Sequence, residues 1–257
     1  MSHEHRSEKL KEAFAGRPRE PHGGRRGVSP RFKARVEAHR WKGKKALDIG
    51  CGTGAGTLLL ASLGADAVGM DIDAAILLEA AERAREDGTK NARFVCADAE
   101  LADFEEVAMA PDGLDGVLAH LCFSKELARR AADALKPGGV LIVRSFHKDM
   151  WKEAGGGSPF AFTEPEMRQL LASLGLQVRH LEVERRTQTF ESIEAFEEAM
   201  LWDAGRHAHW EEDGRLDTLR RAFARGEHSL TEAFLVVEAR KPSPERRRPK
   251  PRKRPVK

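Results

Sequence analysis

The chain has no tyrosine, only three cysteines among 257 residues, and no long apolar run. Each absence excludes something. Cys51, Cys96 and Cys122 are too few and too scattered for a disulfide framework, and their spacing matches no zinc pattern, so a reducing interior is expected. No apolar stretch approaches the length that spans a bilayer. The opening segment, MSHEHRSEKLKEAF, lacks the apolar centre of a signal peptide, and a cytoplasmic protein is expected. His207 and His209 stand two residues apart, an offset that puts them on different faces of a helix, and no paired carboxylates are read as converging with them, so no metal site is expected.

What is present is unevenly charged. Residues 1–45 carry 14 basic and 5 acidic residues, and residues 240–257 carry 10 and 1, each a net of +9; residues 46–239 carry 20 and 35, a net of −15. An acidic body thus has two basic ends. The proline-broken segment 241–257 cannot pack and reads as a disordered tail. It serves either as a tether to a polyanion, RNA or an acidic membrane, or as a solubilising appendage.

With 40% hydrophobic residues the chain can bury a real core. From residue 44 the pattern alternates. Strands are predicted at Lys45–Gly50, Asp66–Asp71, Asn91–Cys96, Leu114–His120, Gly139–Ser145, Leu176–Val183 and Glu232–Arg240. Helices are predicted at Thr57–Leu63, Asp73–Asp87, Ser124–Leu135 and Glu164–Leu174. This rhythm implies right-handed crossovers and an α/β fold: a doubly wound, mostly parallel seven-stranded sheet. Residues 44–240 form that domain. Residues 1–43 are a basic extension with short helices near 8–14 and 31–39. Residues 187–228 are an insertion before the last strand, read as two amphipathic helices (193–202 and 216–225), and act either as a substrate lid or as padding of the sheet.

The most informative stretch is Asp48-Ile49-Gly50-Cys51-Gly52-Thr53-Gly54. A buried strand ends in an acid and a glycine turn, and a helix follows at once. Glycines lacking a Cβ let a ligand approach the backbone, so the carboxyl end of the sheet is built for a nucleoside-like cofactor. Gly50-x-Gly52-x-x-Ala55 also fits a relaxed dinucleotide fingerprint, with Asp71 as its ribose acid. That alternative leaves Asp48 and Asp98 without a role.

Four features in order resemble the class I S-adenosylmethionine-dependent methyltransferases. They are the Asp48–Gly54 turn, Gly69-Met70-Asp71-Ile72-Asp73, Val95-Cys96-Ala97-Asp98-Ala99, and Leu135-Lys136-Pro137-Gly138-Gly139 before the fifth strand. The resemblance implies a Rossmann-like methyltransferase fold with S-adenosylmethionine as cofactor. In that scheme Asp48 and the backbone of Gly50, Cys51, Gly52 and Gly54 hold the methionine end, and Asp71 takes both ribose hydroxyls. Ile72 lies on the adenine, and Asp98 with the Ala99 amide reads its edge. His120-x-Cys122-Phe123, Arg144-Ser145-Phe146-His147 and Ser158 to Met167 are similar to small methyltransferases of the tellurite-resistance and thiopurine type, which act on soft, small acceptors.

Methyl transfer needs an aligned acceptor and, for oxygen or neutral nitrogen, a base. His120 and His147, at the ends of the fourth and fifth strands, are the candidate general bases; either could instead be bonded to a loop backbone. Cys122 reads as a small buried thiol. Phe123, Phe146, Trp151, Phe160 and Phe162 cluster near the same loops and can line an apolar pocket. A small-molecule acceptor is the leading expectation. The basic ends keep rRNA or tRNA as an alternative, although the fourth strand lacks the Asn/Asp-Pro-Pro-aromatic motif that holds a flipped base. A non-catalytic cofactor-binding protein is the third.

Overall fold

The computed structural model describes residues 27–201 and 204–243. The short helix expected near 8–14 and most of the basic tail lie outside them. Seven strands form one sheet: β1 (Lys45–Ile49), β2 (Asp66–Asp71), β3 (Ala92–Cys96), β4 (Leu114–His120), β5 (Leu135–Phe146), β6 (Gln177–Thr189) and β7 (Ser229–Arg240). Their order is β3-β2-β1-β4-β5-β7-β6. Pairings from β3 through β5 are parallel, and β7 runs antiparallel to both β5 and β6. The chain reverses its direction of layering between β1 and β4, so the loops after β1 and β4 diverge there and leave a crevice at the strands' carboxyl ends.

The helices are α1 (Pro30–Glu37), α2 (Ala55–Ser62), α3 (Ala74–Glu86), α4 (Phe104–Val107), α5 (Lys125–Ala134), α6 (Glu164–Ser173), α7 (Ile193–Met200), α8 (Ala204–Glu212) and α9 (Arg215–Ala224). Alternation along the central strands sends one set of side chains to each face. Leu47, Ile49, Val117, Ala119, Leu141 and Val143 pack with α5 and α6. Ala46, Leu118, Val140 and Ile142 pack with α1 and α2. Local chemistry starts the helices: the Asp73 carboxylate caps α3, Ser124 caps α5, and Thr163 with Glu166 forms a full capping box on α6.

Four expectations shift. Phe32, Val36 and Trp41 are buried in the second cluster, so the boundary drawn after residue 43 cuts through packed structure. Lys241, assigned to the tail, is held instead: its N–H bonds the Gly139 carbonyl and its ammonium donates to the carbonyls of Ala132 and Asp133. The turn at Lys136–Gly139 lies inside β5, which opens with a Leu114–Leu135 bridge and an irregular register. Finally, β6 and β7 pair as a ribbon as far as Thr189–Ser229, and three helices, not two, follow at its tip. The polar sequence of β6 hid that length: its residues in the ribbon are mostly exposed, while Leu230, Thr231 and Ala233 of β7 are buried.

Candidate active site

A cavity of about 430 Å³ opens at the carboxyl ends of β1, β2, β4 and β5. Gly50, Asp71, Ile72, Asp98 and Ala99, all singled out from the sequence, line it, together with Ile76, His120, Leu121, Cys122, Phe123, Ser145, Phe146 and Phe160. None of its lining residues comes from the insertion between β6 and β7. The aromatic walls are Phe123, Phe146 and Phe160; Trp151 sits elsewhere, edge-on to Trp210.

The glycine turn owes its shape to its neighbours. Gly50 has φ +62°, and a Cβ there would lie 2.5 Å from the Cys122 Sγ and clash with that residue's Cβ as well. Only glycine lets the two loops close on each other. Asp71, at the end of the neighbouring strand β2, fastens the turn: one carboxylate oxygen accepts the Gly52 N–H at 2.9 Å and the other the Asp73 N–H at 3.0 Å. Each oxygen retains further acceptor capacity, and the residue lines the cavity. The carboxylate therefore suits a vicinal diol, the apolar Ile72 and Ile76 suit a flat ring, and Asp98 with Ala99 suits a polar ring edge. These residues fit a nucleoside cofactor.

Asp48 is different. It is 2% exposed, does not line the cavity, and accepts a hydrogen bond from the Thr57 hydroxyl at 2.8 Å. Cys51, Gly52 and Gly54 also stand behind the lining. Burial pushes the Asp48 carboxyl up to about 7. Its position braces the turn from beneath, so a direct contact with a cofactor ammonium is not what the geometry displays.

The same burial has a consequence for stability. The Asp48 acid is raised from 3.8, so its contribution is full below about pH 4 and is lost as pH rises through 7. His120 runs the other way: burial, and secondarily Arg144, lowers its ring from 6.5 to about 4, so its contribution is present above 6.5 and lost as pH falls. The two slopes oppose each other in the native protein. Asp48→Asn keeps an acceptor for Thr57 and removes one slope. It should gain stability relative to wild type between pH 4 and 8, on the order of 2–4 kcal/mol. Urea midpoints of the two proteins across that range would show the gap widening.

The two histidines part company. His120 lines the cavity, packs edge-on against Phe32 at 5.0 Å, and its Nε2 accepts the Ser29 N–H at 3.3 Å. With its acceptor nitrogen engaged and its basicity lowered, it is a poor general base. His147 is buried and absent from the cavity wall. Its Nδ1 accepts the Asp149 N–H at 3.0 Å, and its Nε2–H donates to Glu164 at 2.8 Å. It ties the end of β5 to the start of α6 and cannot serve as the base. His147→Ala should cost about 2–3 kcal/mol of stability yet change cofactor affinity less than twofold, as calorimetric titration would show.

Ile76, Glu100, Leu121 and Leu127 line the cavity without having been singled out from the sequence, and Ser145 was quoted there only as part of a motif, with no role. Leu121 holds φ +66°, a conformation that leucine rarely adopts, while its N–H bonds the Arg144 carbonyl at 2.7 Å. Ser145 is 2% exposed and its hydroxyl has no partner among the described residues. Nothing in the sequence marks a strained leucine or an orphaned serine. Cys122 lines the cavity as a neutral thiol, pushed by burial up to about 12. Among the described residues no cluster of ligating side chains could hold a metal ion, and no helix is long and apolar enough to cross a membrane.

A sheet of this order, with a glycine turn after β1 and acids after β2 and β3, defines the Rossmann-like class I methyltransferase fold. The chain belongs to the methyltransferase domain family, whose profile matches residues 41–194. It is 32% identical over 125 residues to a ubiquinone biosynthesis O-methyltransferase of Methylococcus capsulatus, covering 48% of this chain and 52% of that protein. It is 42% identical over 77 residues to a 23S rRNA (uracil(1939)-C(5))-methyltransferase of Aeromonas salmonicida, covering 30% of this chain and 17% of that one. The chain thus spans about half, or less, of the curated relatives it matches. A Haemonchus contortus phospholethanolamine N-methyltransferase, solved with S-adenosylhomocysteine, superposes with a TM-score of 0.55 at 19% identity, over 84% of this chain and 54% of that chain. That likeness supports the fold.

Proposed function

We propose that the protein transfers a methyl group from S-adenosylmethionine to a small-molecule acceptor. The observation that carries this reading is the Asp71 carboxylate, bonded to the glycine turn while facing a nucleoside-sized cavity. Bound there, S-adenosylmethionine supplies an electrophilic methyl group on a sulfonium. Asp71 holds the ribose, Ile72 and Ile76 flank the adenine, and Asp98 and Ala99 read its edge. Gly50 and its neighbours accept the methionine end by leaving room for it, and Asp48 fixes the turn from below. Leu121, Phe123, Phe146 and Phe160 keep water from the acceptor's side.

The mostly apolar lining on that side supports a small acceptor. The O-methyltransferase relative supports this ranking. The RNA reading rests on the basic ends, most of which fall outside the described residues, and on the rRNA methyltransferase relative. The three cysteines are free thiols, which supports a reducing, cytoplasmic setting. Incubating the protein with methyl-labelled S-adenosylmethionine and a cell extract, then separating RNA, protein and small molecules, tests the assignment. Label in the small-molecule pool is expected. Label in RNA would replace the acceptor class, and cofactor binding without any transfer would favour the non-catalytic alternative.

A further inference from the structure

We propose that the amino ends of the strands carry a docking surface for the phosphate backbone of RNA, opposite the cavity, so that a bound RNA is a partner of the enzyme and not its methyl acceptor. The last clause rests on the small-acceptor reading; the surface itself does not.

The topology sets the placement. The cavity opens at the carboxyl ends of the parallel strands, and the chain from Arg40 to Lys45 runs along their other ends. There the Gly43 N–H bonds the Gly64 carbonyl, just before β2, at 2.9 Å. The Trp41 ring leaves no room for a Cβ on Gly116, near the start of β4. Because β7 is antiparallel to β5, its last residue, Arg240, comes back beside Val140, and Lys241 bonds Gly139. The chain therefore leaves the sheet at this end too, where Ser243 packs against Gly138. The span of β4 from Leu114 to His120 alone separates the two ends by about 20 Å, at roughly 3.3 Å per residue.

Most carboxylates at this end are already committed. Asp115 takes Lys44 at 3.1 Å and Lys136 at 2.5 Å. Asp66 takes Lys45 at 3.1 Å, and Asp133 takes Arg129 at 2.8 Å. In the turn before β3, Asp87 and Lys90 balance in charge, which leaves Asp112 as an exposed acid before β4. Against it stand four cations that pair with no carboxylate among the described residues. Arg40 and Lys42 are exposed and make no hydrogen bond there. Arg240 and Lys241 donate only to backbone carbonyls. The sequence that continues from Ser243 adds eight lysines and arginines and one acid, Glu245. The cavity has the opposite character: Asp71, Asp73, Asp98 and Glu100 line it, and no lysine or arginine does. A polyanion is thus drawn to one end of the sheet and repelled from the other. RNA suits this surface better than a lipid bilayer does. Segments that lie on a membrane combine charge with inserted apolar side chains, and between Arg240 and Lys257 the sole apolar residue besides proline is Val256. Five of the eight basic residues beyond Ser243 are arginines, whose planar forks match phosphate. Such contacts hold the backbone and read no sequence.

The test follows the anisotropy of a short fluorescein-labelled oligouridylate titrated with the full chain at several salt concentrations. The logarithm of the binding constant should fall linearly with the logarithm of salt. Arg40→Glu/Lys42→Glu should lose at least tenfold in affinity and about 1.4 in that slope, two phosphate contacts at about 0.7 each. Deleting residues 244–257 should lose more. Both variants should bind S-adenosylmethionine as the wild type does, saturating RNA should change that affinity less than twofold, and the bound RNA should take no methyl label. Absence of RNA binding, or unchanged affinity and slope in the double reversal, overturns the surface. Displacement of the cofactor by RNA, or methylation of the bound RNA, overturns its separation from the cavity. Binding to phosphatidylserine vesicles in place of RNA overturns the choice of partner. The small-acceptor reading fails by a different result, an extract in which no small molecule is labelled.

Discussion

Asp71→Ala is expected to weaken cofactor binding by at least a hundredfold while leaving the fold intact. Two losses combine. A carboxylate that accepts both ribose hydroxyls contributes charge-assisted hydrogen bonds of about 1.5–3 kcal/mol each. The same carboxylate fixes the glycine turn through the Gly52 and Asp73 amides at 2.9 and 3.0 Å, so its removal also loosens the cradle that must already be formed when the ligand arrives. Asp71→Asn should do little better, since its amide nitrogen must face one of two backbone donors. Titration calorimetry gives the affinity, and far-ultraviolet circular dichroism checks the fold. Normal affinity in the alanine variant would mean that the cofactor is held elsewhere.

The second large effect concerns Gly50. Alanine there forces a left-handed backbone on a residue with a Cβ, at φ +62°, which costs about 1–2 kcal/mol. It also drives the new methyl into Cys122, 2.5 Å from its sulfur, an overpacking that costs about 1–3 kcal/mol more. A loss near 3 kcal/mol is expected in urea denaturation. The contact part should be recoverable. In Gly50→Ala/Cys122→Gly the clashing Cβ and sulfur are gone, and the nearest remaining Cys122 atom is its Cα, 3.9 Å from the alanine Cβ. The double variant should be more stable than the sum of the two single losses implies, with a coupling of about 1–3 kcal/mol. Additive losses would show that backbone strain alone fixes the glycine.

These two residues were legible because their residue types mark them locally, although the contacts that demand them are distant: Cys122 against Gly50 and Gly52 on Asp71. A strand, a turn and an acid lie within a few residues of each other, and the turn can be read from glycine spacing alone. The sheet was legible for the same reason, since its alternation of strand and helix is a short-period pattern. What the sequence hid was set by distant neighbours. His120 looks like a base until the amide of Ser29, 91 residues earlier, occupies its ring nitrogen. His147 looks equivalent until Glu164 claims it. Asp48 carries the family's acid, yet its distance from the cavity follows from Thr57 and the packing of α2. Ser145 is marked only by what fails to touch it. The middle helix of the insertion, Ala204–Glu212, carries His207 and His209 and shows little amphipathic pattern, so its burial through Trp210 appears only once Phe196 and Trp151 stand beside it.

The ribbon of β6 and β7 places that insertion on a stalk. Phe190, Phe196, Leu201, Trp210, Leu216, Leu219, Phe223 and Leu230 form their own cluster with Ala154, apart from the two clusters that flank the sheet. The chain leaves the sheet through one strand and returns through its hydrogen-bonded neighbour, so the two attachment points are side by side. In engineering terms this is a socket. A different cap could be spliced between Thr189 and Ser229, with a new shape and new chemistry, and the cofactor cradle built by β1, β2 and β3 would not have to be redesigned to receive it.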